Sequence, residues 1–182
     1  MIIGIAGSFA SGKGTVVEYL IHDKGFTHYS ASGFITEEIE RRSLPVNRDS
    51  MIIVANDLRQ KHGPTFIVDS LYERANNDGG NVIIESLRAV AEVKRIQELG
   101  GVVLGVDADS HLRYERALGR KSVKDAVTYE EWKAQEQAES NPDDDTKQNI
   151  FGALALADYT IMNDGTIEEL RLAVDEFIQK FL

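Results

Sequence analysis

Lys13 closes a glycine-rich stretch, GSFASGKGT (residues 7–15), in which Gly7, Gly12 and Lys13 keep the spacing G-x-x-x-x-G-K. Backbone N–H groups of such a loop converge on a phosphate, and a helix N-terminus behind them adds to the attraction. Glycines keep side chains out of the anion's way, and the lysine brings a full charge to the outer phosphates. On this reading Gly7, Ser11, Gly12, Lys13, Gly14 and Thr15 surround a bound phosphate chain. The residue after the lysine is Gly14 rather than the Ser or Thr of the strict pattern. A bare glycine turn with a surface lysine is the competing reading. A dinucleotide fingerprint is a poor one, because its G-x-G-x-x-G spacing is absent.

Glu85 ends the apolar run NVIIE. Ligands of a parallel sheet bind at the carboxyl ends of its strands, where a carboxylate can orient Mg²⁺ through a water. Capping of the next helix competes with that role. Arg116 and Arg120 are four residues apart, on one helical face, with Arg113 a turn earlier. Such a row could stabilise charge on a transferring phosphoryl group; pairing with Glu115 or solvent competes equally. Lys121 and Lys124 read as solvated. Asp107 and Asp109 follow a strand, with Asp109 placed to cap the next helix. His22, His28, His62 and His111 show no metal-ligand spacing.

The elements that must position these residues alternate. Apolar runs at 2–6, 27–30, 81–85, 102–106 and 158–162 read as strands. Three are nearly continuous, as expected of strands buried on both faces of a parallel sheet. Helical patterns lie between them, as βαβ units require. Ile167, Leu170, Val174, Phe177, Ile178 and Phe181 recur at helical spacing behind a Thr166–Glu169 capping box. Thr128 and Glu131 form another before a helix at 129–139. NDGT (163–166) is a turn signal. The polar stretch ESNPDDDTK (139–147) reads as a mobile or solvated segment.

GKGT is the form of the loop found in adenylate kinase, and the chain resembles the P-loop nucleoside-monophosphate kinases over most of its length. SASGFITEEIERR (30–42) resembles their substrate-phosphate helix, NVIIESLR (81–88) their third strand, RYERALGR (113–120) the arginine-bearing entry to the lid, and ALADYTIMNDGTIEEL (155–170) the last strand and base loop. The chain also resembles a group of adenylate-kinase-related proteins, mostly archaeal, and dephospho-coenzyme A kinase shares the style of the ending. The resemblance implies an α/β P-loop kinase fold: five parallel strands in the order 2-3-1-4-5, helices on both faces and a small lid. It implies one domain over 1–182, with an acceptor-binding insert at about 31–80 and a lid at about 120–145. It implies that Arg88 grips the acceptor phosphate, a task that suits a guanidinium fork. The backbone around Asn163 and Gly165 would cup adenine, and Arg116 and Arg120 would meet phosphate charge as the lid closes. Arg41, Arg42 and Arg59 are candidates for the acceptor side. Ser32 caps its helix or touches the acceptor, capping being favoured.

The expected activity is ATP- and Mg²⁺-dependent phosphoryl transfer to a small phosphorylated acceptor, foremost a nucleoside or deoxynucleoside monophosphate. The catalytic set is Lys13, Arg88, Arg116 and Arg120, with Thr15 and Glu85 (via water) for the metal. The alternatives are a kinase of dephospho-coenzyme A or another small molecule, and an ATPase or nucleotide switch acting on a protein partner. With 182 residues, no cysteine and a net charge of −10, the chain does not suit a broad nucleic-acid or anionic-membrane surface. It shows no membrane-spanning run or leader, and a cytoplasmic location is expected.

Overall fold

The computed structural model describes residues 1–119, 127–141, 143–144 and 146–181. Five strands, β1 (Ile2–Gly7), β2 (Thr27–Ser30), β3 (Val82–Leu87), β4 (Val102–Asp107) and β5 (Tyr159–Met162), form one sheet in the order β2-β3-β1-β4-β5. Every pairing is parallel. β1 lies between β3 and β4, so Gly7 opens in the middle of the sheet's carboxyl edge. The register shifts between Ile5 and Ala6, opposite Glu85 and Leu87. There Ser86 takes a positive φ of 68°, uncommon for a residue with a Cβ. The expected end of this strand at Glu85 is thus extended by two residues beyond an irregular step.

Alternation along each strand sorts the core into two layers. Ile83, Leu104 and Val106 pack with α1 (Lys13–His22) and α9 (Ile167–Phe181). Ile84 and Val103 face the other way, into a cluster with α2 (Ala31–Arg41), α3 (Arg48–His62), α4 (Phe66–Asp78), α5 (Val90–Glu98) and α8 (Ile150–Ala155). Burial on both faces is why the strands read as continuous Ile/Val runs. The 31–80 segment, expected to serve as an acceptor-binding insert, is packed onto the sheet through Ile39, Val54, Leu58, Ile67 and Leu71.

Helix starts follow local hydrogen-bond chemistry. Both expected capping boxes form: Glu131 accepts from Thr128 N at 2.8 Å, and Glu169 from Thr166 N at 2.8 Å. Asp109 caps α6 (Ser110–Gly119) as expected, accepting from His111 N at 2.9 Å. The cap of α2 is Ser30, not Ser32: Ser30 keeps an extended backbone at the end of β2, and its Oγ accepts from Gly33 N at 3.1 Å. α7 (Tyr129–Ala138) occupies the expected 129–139 helix. The expected lid also takes in residues 120–126, 142 and 145, outside the described residues. The polar stretch 139–147 is not wholly a solvated loop. Glu139 is 5 % exposed, Ser140 bridges Asn149 in antiparallel fashion, and Asn141 N donates to Gln148 O at 2.9 Å. Among the described residues no helix is long and apolar enough to cross a membrane.

Candidate functional site

β1 delivers the chain to the glycine loop, and the loop's shape explains its glycines. Gly7 has φ +157°, and a Cβ there would lie 2.2 Å from Val106 O. Gly12 sits in the left-handed region at φ +101°, where a Cβ would lie 2.2 Å from Asn163 Nδ2. Gly12 heads α1 without a side-chain cap, and the first turn holds no acidic residue. No side chain of that turn competes with an anion drawn to the positive end of the helix. Lys13 arches back over the loop, its Nζ donating to Gly7 O at 2.9 Å and Ser8 O at 2.6 Å. The Ser11 hydroxyl is buried with no hydrogen-bond partner. A bare cradle, a helix start without a side-chain cap and an arched lysine fit a polyphosphate.

The loop is pinned from the neighbouring strands. Ser8 Oγ donates to Asp107, at the end of β4. Asn163, just after β5, donates from Nδ2 to Ser11 O at 2.8 Å and from its backbone N to Asp107 O at 2.7 Å. Asn163 is thus 8 % exposed, with its carboxamide committed to the loop. Arg116 donates to Asn163 O at 2.9 Å and so braces the same turn. Gly165 lies exposed beside the Glu169 cap. Arg113 does not share the row's expected charge-neutralising position. It is 5 % exposed, forks onto the Glu136 carboxylate and donates to Ala108 O at 3.0 Å. Glu136 in turn accepts from Phe9 N at 3.2 Å, which ties α7 to the loop. Arg120 lies outside the described residues, as do Lys121 and Lys124.

Beside the loop is a cavity of about 350 Å³ whose lining includes Lys13, Phe9, Arg48, Arg59, Arg88 and Trp132. Arg88 reaches it from beyond β3, and Arg48 from the start of α3. Glu139 sits between them, accepting from Arg48 Nε and from Arg88 Nη1 at 2.8 Å each. Phe9 stands under both guanidiniums, with Arg48 Cζ 4.6 Å and Arg88 Cζ 5.7 Å from the ring centroid. A guanidinium resting on an aromatic face turns its edge donors to in-plane partners, here Glu139 for both arginines and Gln135 Oε1, at 3.0 Å, for Arg48 Nη1.

The remaining arginines divide. Arg59 lines the cavity, but its guanidinium binds the Glu92 carboxylate at 2.7 Å and 3.0 Å, with side chains 2 % and 1 % exposed. Arg42 pairs with Glu38 and Asp57, and Arg41 with Glu38. Arg41 and Arg42 thus point at carboxylates on the α2–α3 surface and are absent from the cavity wall. Ser32, freed from capping, lines the cavity.

Glu85 faces β2. Ser30 Oγ donates to it at 2.7 Å, and His28 Nε2 lies 3.6 Å away. Burial pushes this carboxyl up, but hydrogen bonds from His28 and Ser30 outweigh it and hold the group below its ordinary value. Glu85 is therefore ionised at neutral pH. Among the described residues no three His, Asp or Glu gather as a metal site. Neither Thr15 nor Glu85 stands on the cavity wall, and Glu85's partners are Ser30 and His28 of β2; a Mg²⁺ at the loop would take most of its ligands from phosphates and water.

Arg48, Glu139 and Phe9 escaped the sequence reading. Arg48 and Glu139 are 91 residues apart in the chain, and no local period marks either. For Phe9 there was a signal: an aromatic inside a phosphate loop has no role toward the phosphate itself.

A family model described as an AAA domain matches residues 4–133. A UPF0200 protein of Hyperthermus butylicus is 26 % identical over 182 residues, covering 99 % of this chain and 94 % of that one. Two solved kinases share the fold. Shikimate kinase from Bacteroides thetaiotaomicron has a TM-score of 0.61 and 12 % identity, with 98 % of each chain covered. Dephospho-CoA kinase from Campylobacter jejuni has a TM-score of 0.52 and 18 % identity, covering 99 % of this chain and 96 % of that one.

Proposed function

The chain belongs to the AAA domain family and carries the P-loop kinase fold, and from that premise we propose that it transfers the γ-phosphoryl group of ATP to a small phosphorylated acceptor, foremost a nucleoside or deoxynucleoside monophosphate. One observation carries the reading: Lys13 lines the same cavity as Arg48 and Arg88. The cation that would hold the outer phosphates of the donor therefore faces two guanidiniums suited to a second phosphate. A space of about 350 Å³ falls in the range of small-molecule sites.

In this account Gly7, Ser11, Gly12, Gly14 and Thr15 cradle the polyphosphate, and Lys13 leaves the carbonyls of Gly7 and Ser8 to meet it. Mg²⁺, bound with ATP, supplies charge neutralisation; Thr15 and Glu85 are the groups of this chain that would orient it. Arg88 and Arg48 hold the acceptor phosphate in line, and Arg116 steadies the base loop at Asn163 and Gly165. Residues 31–80 serve the acceptor, and the segment near 120–145, with Arg120, closes over both ligands. Catalysis is then positioning plus electrostatics, with no covalent intermediate. Closure excludes water and suppresses hydrolysis.

The test is coupled ADP release with ATP and Mg²⁺ against a panel of mononucleotides, shikimate and dephospho-coenzyme A. The proposal expects stimulation by at least one mononucleotide. Stimulation by dephospho-coenzyme A alone would move the acceptor class, and ADP release indifferent to every acceptor would refute acceptor phosphorylation.

A further inference from the structure

A second cavity, of about 260 Å³, lies between α3 and α7. Arg48, Ile52 and Gln148 line both spaces, so the two are adjacent chambers with a shared wall. Their chemistries differ. The first holds Lys13 and three arginines. The second has Arg48 as its only cation among the described residues, beside two carboxylates, Asp49 and Glu139, and four carboxamides, Asn56, Gln135, Asn141 and Gln148. A phosphate belongs in the first, and a group rich in hydrogen-bond donors in the second.

Gln148, on the wall that the two chambers share, carries the observation that points to a ligand. It is 4 % exposed, and its side-chain oxygen has no hydrogen-bond partner. Its backbone is held firmly: Gln148 O accepts from Asn141 N at 2.9 Å, and the next residue, Asn149, donates from N to Arg88 O at 2.7 Å. An orphaned buried carbonyl costs stability that a ligand donor can restore. The tether to Arg88 places this acceptor atom at a set offset from the arginine that would hold the phosphate.

We infer that the part of the acceptor distal to its phosphate occupies the chamber between α3 and α7, and that Gln148 selects an acceptor presenting a hydrogen-bond donor there. The inference rests on the acceptor-kinase reading. Of two bases that carry an amino or an oxo group at one position, with the adjacent ring nitrogen an acceptor in the first and an N–H donor in the second, the one that places its exocyclic amino group at Gln148 is preferred. Gln148 is a specificity-determining residue, and the phosphate grip of Arg48 and Arg88 is independent of it.

The experiment measures calorimetric binding of two matched pairs, AMP against IMP and CMP against UMP, with the glycine loop already filled by a non-hydrolysable ATP analogue and Mg²⁺, and with inorganic phosphate under the same conditions as a probe of the arginine grip. The preferred pair should favour its amino member by about tenfold, the value of one buried hydrogen bond with no orphan left behind. Gln148→Leu should bring that ratio to within about twofold while leaving phosphate affinity unchanged. Ala138→Phe, which narrows only the second chamber, should weaken mononucleotides and spare phosphate; it serves where Gln148→Leu does not fold. Equal affinities within both pairs, or a preference that survives Gln148→Leu, would overturn the inference while leaving the kinase reading intact. Failure of every mononucleotide to bind, with phosphate still bound, would overturn the acceptor class and this inference with it.

Discussion

Replacing Glu92 with Ala should destabilise the protein more than any other single change near the cavity. The Glu92 carboxylate accepts from Arg59 Nε and Nη2, and from the backbone N of Arg88 at 2.8 Å and Ala89 at 3.1 Å. In Glu92→Ala the Arg59 charge stays buried, with a long 3.5 Å contact to Asn56 Oδ1 as its remaining side-chain hydrogen bond. Breaking one side of a buried ion pair costs about 3–5 kcal/mol. For a chain of this size that is a fall in Tm of roughly 6–20 °C. Trp132, the single tryptophan and 2 % exposed, reports unfolding in urea by fluorescence. Arg59→Met should also destabilise. The double variant should be more stable than the two losses summed by about 2 kcal/mol, because removing both charges leaves neither stranded. A Glu92→Ala protein within about 1 kcal/mol of wild type, or strict additivity in the cycle, would refute the reasoning.

Lys13→Ala should fold normally and lose turnover by about a hundredfold or more, since a preorganised charge on the transferring group is removed; near-normal kcat in steady-state kinetics would contradict the cradle. Arg88→Ala should raise the acceptor KM by roughly tenfold or more while sparing ATP binding, in line with the loss of a charge-assisted hydrogen bond; a rise confined to the ATP KM would reverse the assignment. Glu85, held below its ordinary value, stabilises the fold above the unfolded pKa and loses that contribution as pH falls through the folded one. Acid denaturation of Glu85→Gln should accordingly show a shallower loss of stability in the acidic carboxylate range than wild type, and parallel curves would remove Glu85 from the ledger.

The strands and the phosphate loop were legible because each is local: Ile/Val runs mark double burial, and glycine spacing marks a backbone that must stay bare. The strand order followed the resemblance, which the pairing of β1 with β3 and β4 bears out. The acceptor side was less legible. Arg41 and Arg42 looked like Arg48 in composition, and what separates them is partner geometry: Glu38 and Asp57 claim the first two on the surface, whereas Arg48 crosses to Glu139. Glu139 stood in a run of polar residues that patterning reads as solvated, and its burial comes from the pull of two arginines distant in sequence. Asn163 showed only a turn signal; its tie to Ser11 needs β5 beside β4 and the loop.

The central claim is most directly tested by following the γ-phosphoryl group itself. With ATP labelled at that position, Mg²⁺ and the mononucleotide that stimulates ADP release, the label should appear in the acceptor in a ratio near one to the ADP formed. Label recovered as free phosphate instead, at a rate indifferent to the acceptor, would contradict the account and make the protein an ATP hydrolase.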